Sequence, residues 1–258
     1  MGKLIGIEFI KMKHDPVTWL TALITVGQGL VHAVMLNRYR IDLVRYPKME
    51  YAVYVYLTAR VICMVSLFMA AYVIAGDFSM RTVQNVLASG IDRKKYYLSR
   101  LSAQMIFLSA AYTGGCVVFV ASRIVITGTV NASMSFGEFM VFFLVMALQP
   151  MVYVSLANMI SVFCKNQGVA VILSEISLFL ALILRIYSMG KDFYTGFGRL
   201  KGPLACEPMY LLETCDRFVY SEAGIFSFAF IRYAFSAVIM IAVFTASGYR
   251  RLTRSNLR

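Results

Sequence analysis

Charged residues are scarce in this sequence. Asp, Glu, Lys and Arg make up 15% of the 258 residues, whereas hydrophobic residues make up 60%, and the mean hydropathy is +0.71. A soluble chain of this length needs a charged surface, which this one mostly lacks. The sequence therefore predicts an integral membrane protein whose outer surface is covered by lipid.

Residues that carry chemistry are also few. There are two histidines, His14 and His32, and the motifs H-E-x-x-H, C-x-x-C and G-x-S-x-G are absent. The ATP-binding motif G-x-x-x-x-G-K-[ST] is absent as well. We therefore expect no catalysis, no metal and no cofactor in this chain. If ATP drives it, ATP and Mg²⁺ bind to another polypeptide.

The net charge of +12 suggests two kinds of partner, nucleic acid and anionic lipid. The sequence shows no cluster of aromatic and basic residues of the kind that binds single-stranded nucleic acid. Cationic membrane proteins place Lys and Arg against anionic lipid headgroups. We expect membrane lipid as the partner and no nucleic acid.

Six continuous apolar runs are long enough to cross about 30 Å of hydrocarbon. They do not alternate with polar residues, so they indicate helices and not the strands of a membrane barrel. The sequence predicts an all-α protein with an interfacial helix over 1–16 and a single transmembrane domain over 17–258. The predicted spans are 17–36, 51–75, 101–126, 137–163, 168–189 and 224–247.

Six spans place both termini on one side, and the distribution of Lys and Arg indicates which side. The segments on the side of the termini hold more of these residues than the opposite segments, which also carry most of the acidic ones. The basic stretch 37–50 is the exception. We predict that both termini are cytoplasmic. The long segment 190–223 before the last span then lies outside, and Cys206 and Cys215 within it can pair if that side is oxidising.

Several ionisable residues fall inside predicted spans, where an unpaired charge is costly. The main cases are Arg60, Glu175 and Arg232, whereas Arg123 and Arg185 lie near span ends and are expected to reach the outer headgroups. Glu175 has two interpretations. It is a contact for a substrate, ion or proton, or it has a structural role, paired with an arginine or placed near the membrane interface. A single carboxylate is poorly suited to relay protons or ions across a membrane, so the structural interpretation is favoured.

The segment 76–97, GDFSMRTVQNVLASGIDRKKYY, lies between the second and third spans and is too polar to cross the membrane. Apolar residues recur in it at helical spacing, and Asp77 or Ser79 can cap such a helix while Gly90 ends it. Asp92 can then cap the next helix. The pattern predicts a short amphipathic cytoplasmic helix whose polar face can dock on another protein. The apolar positions are Met80, Val83, Val86 or Leu87, and Ile91.

Residues 77–93 resemble the corresponding segment of the permease subunits of type-2 ATP-binding-cassette (ABC) transporters. In that family an acidic residue, an aromatic and two variable residues precede Gly-Thr. A Lys/Arg/Gln-Asn-aliphatic run, a Gly or Pro, and a Ser-Arg or Asp-Arg pair follow. This chain has Arg81 where Gly is usual. The resemblance implies a coupling helix in a groove of a cytoplasmic ABC ATPase, with two ATPases and two permeases, identical or related, in the transporter. The contact residues it implies are Asp77, Phe78, Arg81, Thr82, Asn85 and Gly90.

The N-terminus, IEFIKMKHDPVTW, is similar to the permeases of bacteriocin and lantibiotic immunity systems. LIGIEFIKMK is expected to lie flat on the membrane, with Leu4, Ile7, Phe9 or Ile10 and Met12 on one face and Lys and Glu on the other. The resemblance implies an exporter of a hydrophobic or cationic peptide or lipid-like compound in a bacterial plasma membrane. The alternatives are a stand-alone secondary carrier or channel, and a membrane-embedded enzyme.

Overall fold

The structure is a computed structural model that describes residues 1–38, 49–128, 136–189 and 228–254. Within these ranges the chain forms eight helices and no strand. In chain order they are α1 (Gly2–His14), α2 (Pro16–Arg38), α3 (Met49–Ser79), α4 (Thr82–Ala88), α5 (Arg93–Thr127), α6 (Phe136–Cys164), α7 (Gln167–Met189) and α8 (Phe228–Arg254).

Each long helix overlaps an apolar run of the sequence, and some helices extend well beyond it; α5 begins eight residues before the run 101–126. Among the described residues, four helices are long and apolar enough to cross a membrane, over Pro16–Met35, Val61–Ser79, Arg93–Ile126 and Phe139–Cys164. Gln167–Leu180 forms a shorter apolar stretch. The prediction of an all-α membrane protein is confirmed. The count of six spans and the division at residue 16 stay predictions.

Several contacts bring distant parts of the chain to one end of the bundle. The Arg93 side chain donates to the backbone oxygens of Leu252 and Thr253 at the end of α8, at 2.9 Å each. The Gln167 side chain at the start of α7 donates to the oxygen of Tyr72, 3.1 Å away. We call this the α4 end. It gathers the segments that the sequence assigns to the side of the termini, and the side of the membrane that it faces stays a prediction.

Small residues allow the long helices to approach closely, as is common in membranes. Fully buried alanines lie on several of them, and the Asn158 side chain of α6 donates to the Gln104 side chain of α5 at 2.8 Å. One close approach of two backbones is between α2 and α5 at Gly115, where an added Cβ would lie 2.6 Å from the backbone oxygen of Thr25. Only glycine fits there without a shift of one helix.

Gly115→Ala is expected to lower the free energy of unfolding by about 1–3 kcal/mol, because a new methyl group would overlap a backbone atom that cannot rotate away. The change is measured as a lower midpoint of thermal unfolding in detergent. Gly114→Ala is the matched control, since its new methyl group meets only the Val26 Cγ2 atom at 3.4 Å. Equal midpoints for the two variants would contradict the close packing.

Candidate functional site

The turn into α4 differs from the predicted cap. Helix α3 continues through Asp77 to Ser79, whose hydroxyl donates to the Ala75 oxygen at 3.1 Å, so neither residue caps α4. The N-cap is Arg81, which has a φ of 58° and no capping hydrogen bond from its side chain. The prediction that Asp77 or Ser79 caps α4 was therefore wrong. Helix α3 extends beyond the apolar run from which its end was predicted, and it includes both residues.

The exit from α4 agrees with the prediction. Helix α4 ends at Ala88, and Gly90 has a φ of 86°, a left-handed conformation that glycine adopts without strain. The Asp92 side chain then accepts the backbone N–H of Lys94 at 3.3 Å and caps α5. Helix α4 is thus connected by a short turn at each end to α3 and α5, the two longest helices in the described ranges.

The two sides of α4 have different environments. Val83 is 1% exposed, and Val86 and Leu87 pack against the same buried core. The opposite side is open to the surroundings at the α4 end, and Met80 in the preceding turn is 75% exposed. We call this side the outward face of α4; its exposed residues are Met80, Arg81, Asn85, Ala88, Ser89 and Gly90.

A group of buried charges lies directly beside this segment. Arg100 of α5, which is 3% exposed, forms ion pairs with Glu8 of α1 and with Asp77 of α3, the second at 2.6 Å. Arg100 Nη2 also donates to the Val73 oxygen at 3.2 Å, and the Tyr96 hydroxyl donates to Asp77 at 3.0 Å. Glu8 receives a further hydrogen bond from Lys11, at 3.2 Å. We call these residues, Glu8, Lys11, Asp77, Tyr96 and Arg100, the Arg100 cluster.

The Arg100 cluster joins three helices by charge. One guanidinium faces two carboxylates from α1 and α3, so removing it would leave both acids buried without their cationic partner. Removing one partner of a buried ion pair lowers the free energy of unfolding strongly. Replacing the whole pair by apolar residues changes it much less. The cluster therefore fixes α1 against the last turn of α3, which leads into the turn that starts α4.

The position of Glu8 corrects the predicted faces of α1. Glu8 is 5% exposed and shares the protein-facing side with Met12, whereas Ile7 and Ile10 are 49% and 62% exposed. The prediction placed Ile7 with Met12 and Glu8 with the lysines. It was wrong because the Arg100 guanidinium attracts Glu8 inward, and nothing local to α1 signals that partner. Trp19 Nε1 of α2 donates to the Lys13 oxygen at 2.7 Å, which also connects α1 to α2.

The six residues predicted to contact an ATPase do not share one environment. Arg81, Asn85 and Gly90 are exposed on the outward face of α4. Phe78 and Thr82 are partly buried, and the Asp77 side chain is 13% exposed and bound to Arg100. Their contact with an ATPase stays a prediction, and the geometry gives Asp77 a partner within this chain.

The remaining predicted positions are spread along the bundle. Arg60 lies in α3 and Arg232 in α8, and their side chains are outside the described part of the structure; Cys206 and Cys215 lie outside the described residues. Glu175 is partly buried in α7 and makes no ion pair with any side chain that the structure describes. Its pairing with an arginine stays a prediction.

Arg81→Gly is expected to stabilise the turn by about 1 kcal/mol, because a residue with a Cβ is strained at positive φ and glycine is not. The amides of Gln84 and Asn85 bond to the Arg81 oxygen at 3.0 and 3.2 Å, so their hydrogen exchange should slow by about fivefold. Arg81→Ala, which removes the charge and keeps the Cβ, should leave that exchange unchanged. Equal protection in both variants would show that the left-handed conformation carries no strain.

Comparison with known families bears on this geometry. The family model described as ABC-2 family transporter protein matches residues 4–181, more than half of the 258-residue chain. The match includes all but the first two residues of α1. It also includes α4 with the turn before it and every residue of the Arg100 cluster, and it ends within α7. No curated protein matches the chain.

Proposed function

The chain belongs to the ABC-2 family of transporter proteins, and on that premise we propose that it is the permease of an ATP-driven exporter that receives force through α4. Membership of the family makes it a multi-pass membrane subunit for transport that works with an ABC ATPase. The further proposals are the place of contact, the composition of the complex and the cargo.

The arrangement of α4 is the observation that carries the proposal. Its apolar side packs on the core of the bundle, and its outward face is open at the α4 end. A short helix of this kind, connected by tight turns to α3 and α5, transmits a displacement to both long helices instead of bending freely. The outward face of α4 is therefore the surface on which we place the ATPase.

The mechanism follows from the connections of this segment. Closure of two ATP-bound ATPases would push on α4, and the push would reach the last turn of α3 through Met80 and Arg81. The Arg100 cluster would carry the same displacement to α1 and to the start of α5. Alternation between two arrangements of the bundle would then expose the transport path to opposite sides in turn. This chain supplies no catalytic group; ATP and Mg²⁺ belong to the ATPases.

The complex that we propose contains two cytoplasmic ATPases and two permeases, with both termini of this chain cytoplasmic in a bacterial plasma membrane. The proposed cargo is a hydrophobic or cationic peptide or a lipid-like compound. This part of the proposal rests on the likeness of residues 7–19 to bacteriocin-immunity permeases and on the absence of a catalytic motif in the sequence.

Reconstitution tests the proposal. The chain is placed in liposomes with its ATPase, and accumulation of a fluorescent cationic amphipathic peptide is followed with ATP, without ATP and with ATP plus vanadate. Accumulation is expected only with both the ATPase and hydrolysable ATP. Movement of the peptide by the chain alone, without ATP, would favour the alternative of a stand-alone carrier or channel.

A further inference from the structure

Arg81 breaks two local preferences at the start of α4. Its φ of 58° is a left-handed conformation that costs free energy for a residue with a Cβ. It also occupies the N-cap, where a side-chain oxygen usually accepts an amide of the first turn, but a guanidinium has only donors and forms no capping hydrogen bond here. No ion pair with the side chains that the structure describes offsets these costs. A residue of this kind is expected where its side chain makes a contact outside its own chain.

The turn that carries Arg81 also exposes a large apolar side chain. Met80 is 75% exposed. The Met80 amide donates to the Gly76 oxygen at 2.9 Å, and the Arg81 amide donates to the Phe78 oxygen at 3.2 Å. A methionine and an arginine are thus presented side by side on a hydrogen-bonded backbone. Both residue types are enriched in protein interfaces, and a backbone that is already fixed lowers the entropy lost on binding.

The exposed charges around the outward face of α4 have one sign. Among the acidic side chains that the structure describes, only that of Asp92 is exposed, and it accepts the backbone N–H of Lys94 as the cap of α5. Glu8 and Asp77 are bound to Arg100. The exposed cations lie on both sides of α4 and at the end of α8: Arg81, Lys94, Lys95, Arg250, Arg251 and Arg254. A surface of this charge is complementary to an acidic one.

An acidic surface at this end can belong to a protein or to lipid headgroups, and the orientation of α4 favours a protein. Val83, Val86 and Leu87 pack on the core of the bundle. The outward face, which lies opposite, is therefore turned away from the bundle and from the hydrocarbon that surrounds it. On that face the exposed Met80 needs an apolar contact next to the anionic one, and a folded protein surface offers both together.

We propose that Met80 and Arg81 are the anchor of this chain in its ABC ATPase. A carboxylate of the ATPase binds the Arg81 guanidinium through two hydrogen bonds, and an apolar pocket beside that carboxylate receives Met80. The proposal rests on the proposed function of α4 and adds to it the chemistry of the partner surface. Because the motif usually has glycine at position 81, the arginine selects an ATPase that has an acid at the matching place.

Affinity measurements test the anchor. The full chain is placed in nanodiscs of phosphatidylcholine, a lipid without net charge, and binding of its purified ABC ATPase is measured by thermophoresis at about 150 mM NaCl, where distant charges are screened. Arg81→Gln keeps the Cβ and removes the charge, and it should weaken binding about thirtyfold, as is usual for a central arginine of an interface. Met80→Ser should weaken it about tenfold.

Lys95→Gln is the matched control for loss of one exposed cation. Lys95 lies at the start of α5, outside the anchor, so its loss should change the dissociation constant by less than about twofold. Met80 and Arg81 are exposed, and the midpoint of thermal unfolding in Met80→Ser and Arg81→Gln should therefore stay within about 1 °C of that of the unaltered chain.

Carbodiimide crosslinking identifies the partner group. The reagent joins a lysine amine to a carboxylate in direct contact with it. Arg81→Lys should therefore give a crosslink from position 81 to an aspartate or glutamate of the ATPase, located by peptide mass spectrometry, whereas the unaltered chain has no reactive amine at that position. Crosslinks from Lys94 or Lys95 alone, with none from position 81, would overturn the proposal.

The binding assay also separates the anchor from the proposed function. Loss of binding in Asn85→Trp with unchanged affinity in Arg81→Gln or in Met80→Ser would overturn the anchor and leave α4 as the docking helix. Unchanged affinity in all three variants would overturn both. If Arg81→Gln weakens binding only in nanodiscs that contain phosphatidylglycerol, Arg81 binds lipid headgroups, and the anchor is overturned as well.

Discussion

Arg100→Met is expected to destabilise the protein by about 3–5 kcal/mol, the cost of leaving buried charges without their partner. Glu8 and Asp77 would both lose the guanidinium that they share at the α4 end. For a chain of this size the midpoint of thermal unfolding in detergent should fall by roughly 10 °C. Helix α1 should also detach, because Glu8 is its buried charged link to α5.

The detachment of α1 is measured separately from global unfolding. Hydrogen exchange of the amides of residues 4–14 in Arg100→Met should rise well above that of the amides of α6, which does not contribute to the cluster. Lys95→Met, an exposed lysine of the same helix, is the matched control and should change neither quantity.

A triple variant distinguishes loss of charge pairing from loss of packing. Arg100→Met combined with Glu8→Gln and Asp77→Asn removes all three charges at once, so no buried ion is left unpaired. It should recover more than half of the stability that Arg100→Met loses. If the triple variant is less stable than Arg100→Met, the cluster stabilises the fold by packing and not by ion pairing.

Asn85→Trp is expected to abolish the association with the ABC ATPase, since it places a large ring on the outward face of α4. A bulky side chain in the middle of a small interface prevents the close contact on which affinity depends. Because Asn85 is exposed, the substitution should leave the midpoint of thermal unfolding within about 1 °C, as is usual for surface positions. The measurement is recovery of the ATPase with the tagged permease after co-expression.

Thr253→Trp is the matched control for that experiment. Thr253 is also exposed at the α4 end, and it lies on α8 instead of α4. It should retain the ATPase at the level of the unaltered chain. Loss of the ATPase in Thr253→Trp with retention in Asn85→Trp would place the contact on the end of α8.

The long helices and the cap and stop signals after α4 were predictable from the sequence, because they depend on neighbouring residues. The apolar run 137–163 predicts α6 within one residue at each end, and the stop at Gly90 and the cap at Asp92 are local signals that the structure retains. The same reasoning fails where α3 continues past its apolar run to Ser79, since Asp77 is stabilised there by Arg100.

The Arg100 cluster could not be predicted in this way. Its members Glu8, Asp77 and Arg100 lie on three helices that are far apart in the chain, and each alone is a charge that flanks an apolar segment. Their proximity depends on how α1, α3 and α5 pack. A useful signal is a pair of opposite charges, one next to each of two neighbouring spans, at the same end of the bundle. Such charges are candidates for a buried ion pair.

The left-handed conformation of Arg81 shows how a departure from a motif can be interpreted. The resemblance placed a glycine at this position, and the structure keeps at Arg81 a φ that favours glycine. The turn of this chain therefore has a conformation that favours glycine, although the residue is an arginine. The side chain of Arg81 is exposed on the outward face of α4, where a cation is available to a partner.

Photocrosslinking from Asn85 tests the central claim most directly. A benzophenone amino acid is placed at position 85 or, in a matched chain, at position 253, and membranes that also contain the ABC ATPase are irradiated. The account predicts a crosslink from position 85 to a polypeptide that carries G-x-x-x-x-G-K-[ST], and none from position 253. A crosslink to the ATPase from position 253 and not from position 85 would contradict it.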